Sequence, residues 1–419
     1  MKTLKYSLLL VLFLLPATIF SQNRMAQAMD AIKKNNFDLA LTIAKEFLDK
    51  DSTQAALRIL INAEERYLDS RQLFELIGDA YRKTGVVELA LLNYEKAEAR
   101  DSLDLDLKFK IADYLFKQRR YTDAANKYLK IISMDSTNTK AYYEVGNIFY
   151  LAEMYADAGA IFEKYLSFTS DQDIYQKAAK SFTEAKNWQK VYDISSSGLL
   201  KFPDDVLLQK HKGTSAYWLR RFDESIEVFT SLPDTMMTIV DLVRGGKAAE
   251  ITKRDSVALV FYYRAFERDT TLNELYLDMA RLNYGLKNFS EAARFYRKKT
   301  EYDPTFEPAW RFLAFSYLNM QDFENTKNSL LRAIALNDTI VDSFFWLANS
   351  FKGVDSAAKA MDIYVQMLKM IEGREDRFKM QATEANRALG QWHFERKNFG
   401  LAIPFLRKAV ELSPNDVNS

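Results

Sequence analysis

The sequence predicts an all-α fold, an α-α superhelix of stacked helix pairs. Three observations predict it. Gly numbers 13 and Pro 7 in 419 residues, and so few breakers argue for helices joined by short turns. Hydrophobic residues make up 48% of the chain and aromatics 14%, enough for a long packed core. Small and aromatic residues also recur at a fixed step. Ala90, Ala124 and Ala158 are 34 residues apart, as are Tyr94, Tyr128 and Phe162, and Gly78, Ala112 and Gly146. A period of this length is the signature of a repeat architecture.

The first residues are a different kind of segment. Lys2 and Lys5 precede the apolar run Leu8–Leu15, and Pro16 and Ser21 follow. That order reads as a signal peptide over residues 1–22, cut after Ser21 or Gln22; a retained N-terminal anchor is the competing reading. The run is short for a membrane span, and no later stretch is long and apolar enough to cross a bilayer. No transmembrane segment is therefore expected, while peripheral envelope association stays open. The chain has 0 Cys. This rules out a lipid-modified N-terminal cysteine, fits an oxidising compartment and leaves stability to packing alone. The expectation is an exported protein of a Gram-negative periplasm, with outer-membrane association as an option.

Residues 23–70 read as N-terminal helical or capping repeats. Within them Thr53–Tyr67 is helical but completes no standard unit, and its assignment is open. The array proper covers 71–342. Val191, Ser225, Ala258, Ala292, Thr326 and Ala360 continue the Ala90 series at steps of 33 or 34. In the C-terminal part, 343–419, Ala402 resumes the series after an insertion around "EGREDRFKMQAT". Pro203, Pro304 and Pro414 fall where a second helix ends. Two departures stand out. The aromatic expected at Ala216 comes one place later, as Tyr217. Ser195 and Gly198 replace the usual second-helix aromatic and Ala, where looser packing is expected.

The stretch "LFELIGDAYRKTGVVELALLNYEKAEARD" carries Phe74, Ile77, Gly78, Tyr81, Ala90, Tyr94 and Ala97. Trp310, Leu313, Ala314, Tyr317, Leu330 and Ala333 repeat that order, and Leu389, Gly390, Ala402, Ala409 and Pro414 repeat it again. This pattern resembles the tetratricopeptide repeat family over nearly all of Asn23–Pro414, in about ten units, and the resemblance implies a right-handed solenoid of helix pairs. Gly or Ala is needed where two helices cross closely. No unit buries its apolar face alone, so neighbours must stack.

Catalytic signatures are missing. There is no G-x-G-x-x-G, P-loop, H-E-x-x-H or G-x-S-x-G motif, and no Cys nucleophile. The two His, His211 and His393, are about 180 residues apart, and His393 reads as a packing residue. Glu64–Glu65 and Asp204–Asp205 read as solvated surface, and Gly246 of Gly245–Gly246 falls at a helix crossing. The expectation is a chain that is not an enzyme and has no catalytic residue, metal or cofactor. Lys plus Arg total 58 against 57 for Asp plus Glu, which with export disfavours nucleic acid. Eight Asp-(Ser/Thr) tripeptides, at Asp51, Asp101, Asp135, Asp234, Asp255, Asp269, Asp338 and Asp355, look like O-glycosylation acceptors of exported bacterial proteins. They are equally ordinary turn and capping residues.

The resemblance implies a concave face built from first helices, lined by residues beside the Gly/Ala position and one turn either side. Its early part, Glu75, Asp79, Lys110, Asp113, Tyr143, Asn147 and Tyr150, is mixed to acidic. Its middle part holds Lys177, Lys180, Lys210, His211, Tyr217, Arg244, Lys247, Arg281, Tyr284 and Arg311 and is basic with interleaved rings. Late units offer Phe315, Phe345, Trp346 and Asn349. The candidate partner-binding residues run from Asn147 and Tyr150 through the middle set to Arg311. Lys180, Lys247 and Arg281 share one offset, and the family's carboxylate clamp is an analogy for them only, since the full Lys/Asn set is missing. A solvated cationic face is the competing reading. Arg297, Lys298 and Lys299, on a second helix, are expected to be convex or solvated.

These readings converge on a non-enzymatic periplasmic scaffold that grips a peptide or helix of a protein partner, an acidic one by charge, in envelope or secretion assembly. The alternative is a glycan- or peptidoglycan-binding module whose Tyr and Trp stack on sugar rings.

Overall fold

The computed structural model describes residues 22–354 and 356–414, and no strand occurs among them. The signal-peptide reading falls almost wholly outside these described residues. The chain forms two compact units, one ending at His211 and one beginning at Lys212. In the first, residues 22–33 form α1. Five helix pairs follow: α2 (Phe37–Asp49) with α3 (Thr53–Glu64), α4 (Arg71–Thr84) with α5 (Val87–Arg100), α6 (Leu105–Lys117) with α7 (Tyr121–Met134), α8 (Thr139–Leu151) with α9 (Tyr155–Leu166), and α10 (Gln172–Glu184) with α11 (Trp188–Leu199). The division falls inside α12 (Val206–Trp218), which precedes α13 (Phe222–Ser231). The second unit continues with α14 (Ile239–Ile251) and α15 (Asp255–Arg268), α16 (Tyr276–Gly285) and α17 (Phe289–Tyr302), and α18 (Glu307–Asn319) and α19 (Phe323–Leu336). It ends with α20 (Val341–Gly353) and α21 (Ala357–Met370), then α22 (Lys379–Glu395) and α23 (Phe399–Leu412). The expected insertion lies before α22 and contains a 3₁₀ turn, Glu375–Phe378. The architecture is the expected all-α series of sequential helix pairs, solenoid-like within each unit.

In ten of the pairs the turn is one construction repeated. Asp51, Gly85, Arg119, Glu153, Lys186, Arg220, Lys253, Lys287, Gln321 and Lys397 all have φ between 52° and 77°. The next residue's N–H donates to a carbonyl five residues back: Ser52 to Phe47 at 2.8 Å, Val86 to Tyr81 at 3.0 Å, Asn288 to Asn283 at 2.8 Å. This is a Schellman closure, which satisfies carbonyls orphaned at the end of the first helix. Only one of the ten is glycine, so most of these turns hold an L-residue in a region its Cβ disfavours.

The same turn resolves the segment Thr53–Tyr67. Asp51 stands 34 residues before Gly85, and Ala56, Leu60 and Ala63 stand 34 before Ala90, Tyr94 and Ala97. All six of these small and large apolar residues are fully buried. The segment therefore supplies α3, the second helix of the first pair. Its register was hidden because Leu60 and Ala44 stand where later units use Tyr94 and Gly78.

Several pairs close on a ring pressed against a small residue. A Cβ on Gly78 would lie 2.6 Å from the Tyr94 ring, one on Gly146 2.6 Å from Phe162, and one on Gly246 2.3 Å from Tyr262. Gly246 is thus at a helix crossing, as its spacing indicated. Ala112, Ala280 and Ala348 occupy the same register and are fully buried.

The looser packing expected at Ser195 and Gly198 is not found. Both are buried, and a Cβ on Gly198 would meet Leu208 at 2.6 Å and Tyr175 at 3.0 Å. The missing Cβ at Gly198 lets Leu208 and Tyr175 close directly on the helix there. His393 does pack as expected, its ring stacked on Phe405 at 5.9 Å.

One ion cluster lies inside the stack. Lys108 on α6 is 2% exposed and its Nζ donates to Glu98 of α5 at 2.6 Å. Lys127 of α7 bonds the other Glu98 oxygen. Burial pushes the Glu98 carboxyl up, but the hydrogen bonds from Lys108 and Lys127 outweigh it and hold the group below its ordinary value. A carboxylate held low in the folded state adds stability above its unfolded pKa and loses it as pH falls through the folded one.

Two outcomes follow. Gly246→Val should lower stability by about 1–3 kcal/mol, because the added methyls meet a fully buried ring; thermal unfolding followed by circular dichroism checks this. Glu98→Gln should cost about 3 kcal/mol by stranding buried Lys108. It should also flatten the loss of stability that the wild type shows below about pH 4, read from urea midpoints against pH.

Candidate functional site

In the first unit, the acidic positions of the early face are tied to the core. The Tyr94 hydroxyl donates to Asp79 Oδ1 at 2.7 Å, and Tyr128 donates to Asp113. Burial first, then the carboxylate beside it, holds each phenol far above its ordinary value. Lys110 bridges Glu75 at 2.6 Å and Asp79 at 2.9 Å. At the next equivalent position Phe162 has no hydroxyl to offer, and Asn147 Oδ1 accepts from Lys177 at 3.0 Å.

Lys177 also pairs with Asp173 at 2.8 Å. Lys180 lies 5.5 Å from the Tyr150 ring centre, and a hydrogen bond to that phenol holds its ammonium above its ordinary value. Tyr150 itself packs on Tyr155 at 6.0 Å and Phe162 at 6.3 Å. Lys210 is half-buried on α12, and the neighbouring His211 Nδ1 is 2.9 Å from Thr183 Oγ1.

In the second unit, Tyr217 packs on Trp218 at 5.5 Å and Phe222 at 5.8 Å. Arg244 is 3.8 Å from Asp241, a buried residue that forms a capping box with Thr238 at the start of α14. Arg281 pairs with Glu250 and, at 3.3 Å, with Asp278. Burial and the Glu250 charge push the Asp278 carboxyl up, against the pull of Arg281 and Lys247. Arg311 pairs with Glu307 at 3.0 Å. Tyr284 sits edge-on to Phe289 at 5.5 Å and Phe312 at 5.8 Å. Lys247 differs: it is exposed and forms no ion pair among the described residues.

The basic middle of the face is therefore largely offset by its own carboxylates. The signal lay in the sequence: Asp173/Lys177 and Glu307/Arg311 are spaced i,i+4, and Asp241/Arg244 and Asp278/Arg281 i,i+3. Such pairs meet on one helix face, and counting cations alone missed them. Thr214 also interrupts the shared offset of Lys180, Lys247 and Arg281. Of the late residues, Phe345 is 5% exposed and belongs to the core. Asn349 accepts from Tyr364 at 2.9 Å, repeating the Asp79–Tyr94 bond.

The basic run on α17 is not simply solvated. Lys298 lies 5.6 Å from the Phe266 ring centre and 5.5 Å from that of Tyr276. Lys299 lies 5.0 Å from Phe306, and Arg297 bonds the Tyr317 hydroxyl. These cations roof aromatic rings of adjacent segments, an arrangement favoured by the ring quadrupole. Of the Asp-(Ser/Thr) tripeptides, Ser52, Ser102, Ser136, Thr235, Ser256, Thr270 and Thr339 are exposed, while Asp355 lies outside the described residues. Asp135 and Asp269 act as turn caps, each accepting from the backbone N–H two residues on, at 3.0 and 2.8 Å.

Residues 109–176 and residues 384–416 match the tetratricopeptide repeat family. Among solved structures, the chain is similar to the C-terminal part of a TPR repeat-containing protein from Cytophaga hutchinsonii. The identity is 19%, over 65% of this chain and 95% of that one, with a TM-score of 0.39. It is similar to MamA at 18% identity, over 42% of this chain and 97% of that one, with a TM-score of 0.35. It is also similar to a structure of Naa15/Naa10 bound to HypK-THB, at 13% identity over 94% of this chain and 68% of that one, with a TM-score of 0.39. Likenesses at this level carry no function across.

The face residues thus divide into packing rings and polar groups. Tyr284→Ala should lower stability by about 2 kcal/mol, and Tyr284→Phe by clearly less, because the ring does the packing and the hydroxyl adds only a hydrogen bond with Asn319. Chemical unfolding of the two variants checks this.

Proposed function

We propose that this tetratricopeptide repeat protein is a non-enzymatic adaptor of the cell envelope, whose first-helix face receives an extended peptide or a helix of a protein partner. Repeats of this family are in general protein–protein interaction modules. One observation carries the reading. On α14 and α16, Gly246 and Ala280 are buried in the helix crossing, while the very next residues, Lys247 and Arg281, are exposed. The repeat therefore sets cations at one-unit spacing on a surface that the stack leaves open. Such a row suits a chain running across successive first helices, and acidic side chains would meet it with charge-assisted hydrogen bonds.

Export to the periplasm is part of the proposal. It rests on the order of basic, apolar and small residues in residues 1–22. A glycan-binding role would draw on free ring faces. Tyr150, Tyr217 and Tyr284 are each half-buried against neighbouring rings, so no specific observation favours it.

Lys247 is the cleanest probe, since it supports no ion pair. Lys247→Gln, which removes the charge without adding a carboxylate near Asp278, should reduce recovery of a partner from an envelope extract several-fold while leaving helical content unchanged. Unchanged recovery would remove Lys247 from the site. Arg281→Glu is a poorer test: it sets a third carboxylate beside Glu250 and Asp278 and should lower Tm by itself. Intact-mass analysis of the native protein tests export, with the chain expected to begin at Gln22 or Asn23; an uncleaved chain in the cytoplasm would overturn that part.

A further inference from the structure

The side of the stack formed by second helices carries its own repeating device. Phe74, Tyr276 and Trp310 each stand four residues before the crossing Gly or Ala of their first helix. Lys96, Lys298 and Arg332 each stand six residues after the matching Ala or Thr of the second helix, at Ala90, Ala292 and Thr326. In the first two units the cation plugs the space above the ring. Lys96 Nζ lies 4.9 Å from the Phe74 ring centre and bonds Glu64 of the preceding second helix at 3.0 Å. Lys298 lies between Tyr276 and Phe266, the latter on the preceding second helix.

In the third unit the plug is missing. Thr300 stands where Glu64 stands in the first, and its hydroxyl is spent on the Arg297 carbonyl at 2.8 Å. The Trp310 indole N–H donates to the Pro304 carbonyl at 2.9 Å. Arg332 is exposed and makes no hydrogen bond or ion pair among the described residues. What remains is a cavity of about 660 Å³ between α17 and α19, floored by Trp310, Leu313 and Tyr317 of α18 and walled by Arg297, Asn328 and Arg332. Glu301 also lines it and forms no ion pair with either arginine. Cavities of about 480 and 410 Å³ recur at the same register elsewhere. The first has its carboxylate in place, since Glu98 there is bonded by Lys108. The other has Asn386 in place of a ring. Only the α17–α19 cavity, among these three, joins an aromatic floor to an unengaged guanidinium.

We propose that this cavity is a second docking site, which takes an acidic peptide segment of a partner protein. A Glu or Asp side chain supplies to Arg332, with Arg297 alongside, the carboxylate that Glu64 supplies to Lys96, and an apolar neighbour in the peptide covers Trp310 and Leu313. The volume lies in the range of ordinary ligand sites, and planar guanidinium groups suit carboxylates.

The test is titration calorimetry of the full chain with the peptide Ac-Leu-Glu-Glu-Leu-NH2. Expected is saturable binding that weakens about tenfold or more in Arg332→Gln and is unchanged in Lys247→Gln. The peptide Ac-Leu-Gln-Gln-Leu-NH2 should not bind, and free glutamate should not compete at equal concentration. Equal binding of the two peptides, no heat at millimolar peptide, or full affinity in Arg332→Gln would each overturn the proposal. So would loss of binding in Lys247→Gln alone, which assigns the peptide to the first-helix face. Free glutamate binding as tightly as the peptide would overturn the assignment to a peptide. Arg332 is exposed and holds no hydrogen bond or ion pair among the described residues, so Arg332→Gln should keep the wild-type helical content, measured alongside by circular dichroism, and any loss of affinity is then read directly.

Discussion

The fold depends on one contact, repeated: a large second-helix side chain laid against a first-helix residue with little or no Cβ. At Gly246 the gap is so small that an added Cβ would sit 2.3 Å from Tyr262. Helices held that close leave no room for solvent at the crossing. The ring then lies at the bottom of the pair, where Tyr94, Tyr128, Tyr262, Tyr296 and Tyr364 are at most 2% exposed. A buried phenol needs a partner for its hydroxyl. For Tyr94, Tyr128, Tyr262 and Tyr364 it comes from Asp79, Asp113, Glu250 and Asn349 in turn, and that need fixes polar residues on the first helices. Part of the face's polarity is thus a consequence of core packing.

The left-handed turns have a related consequence. They set the phase of the array, since each places the second helix in the same register on the first. Most hold Lys, Arg, Glu or Gln where glycine would be easier. The cost of φ near +60° is accepted at these positions because the Schellman bonds and the crossing on either side over-determine the conformation.

Charge is the second organising theme. The chain is nearly neutral overall, and its cations are for the most part engaged locally, by carboxylates one turn away or by rings of the adjacent helix. Arg244, Arg281 and Arg311 belong to the first kind, Lys298 and Lys299 to the second. Lys247 and Arg332 are exposed cations that form no ion pair among the described residues, on a first and a second helix respectively. A chain of neutral composition can still offer specific positive points in this way.

The helix pairs, their period, the crossing at Gly246 and the packing role of His393 were all legible in the residues, because small and aromatic side chains at a constant step admit few other arrangements. Thr53–Tyr67 was not, since Leu and Ala replaced the diagnostic ring and glycine while the register persisted. The packing at Ser195 and Gly198 was also hidden: side chains from other segments, Tyr175 and Leu208, close that space. The character of the face was only half legible. Offsets located Lys177, Arg244, Arg281 and Arg311 on first helices, but their charge depended on partners. Some of these partners lie on the same helix and were readable at i,i+3 or i,i+4. Others, such as Glu250 beside Arg281, lie about 30 residues away. By itself the sequence determined the periodic architecture, because periodicity is a local property of the chain. Only the tertiary structure decided which cations are spent and which are free, and where a cavity opens, because those depend on atoms that stacking brings together from different repeats.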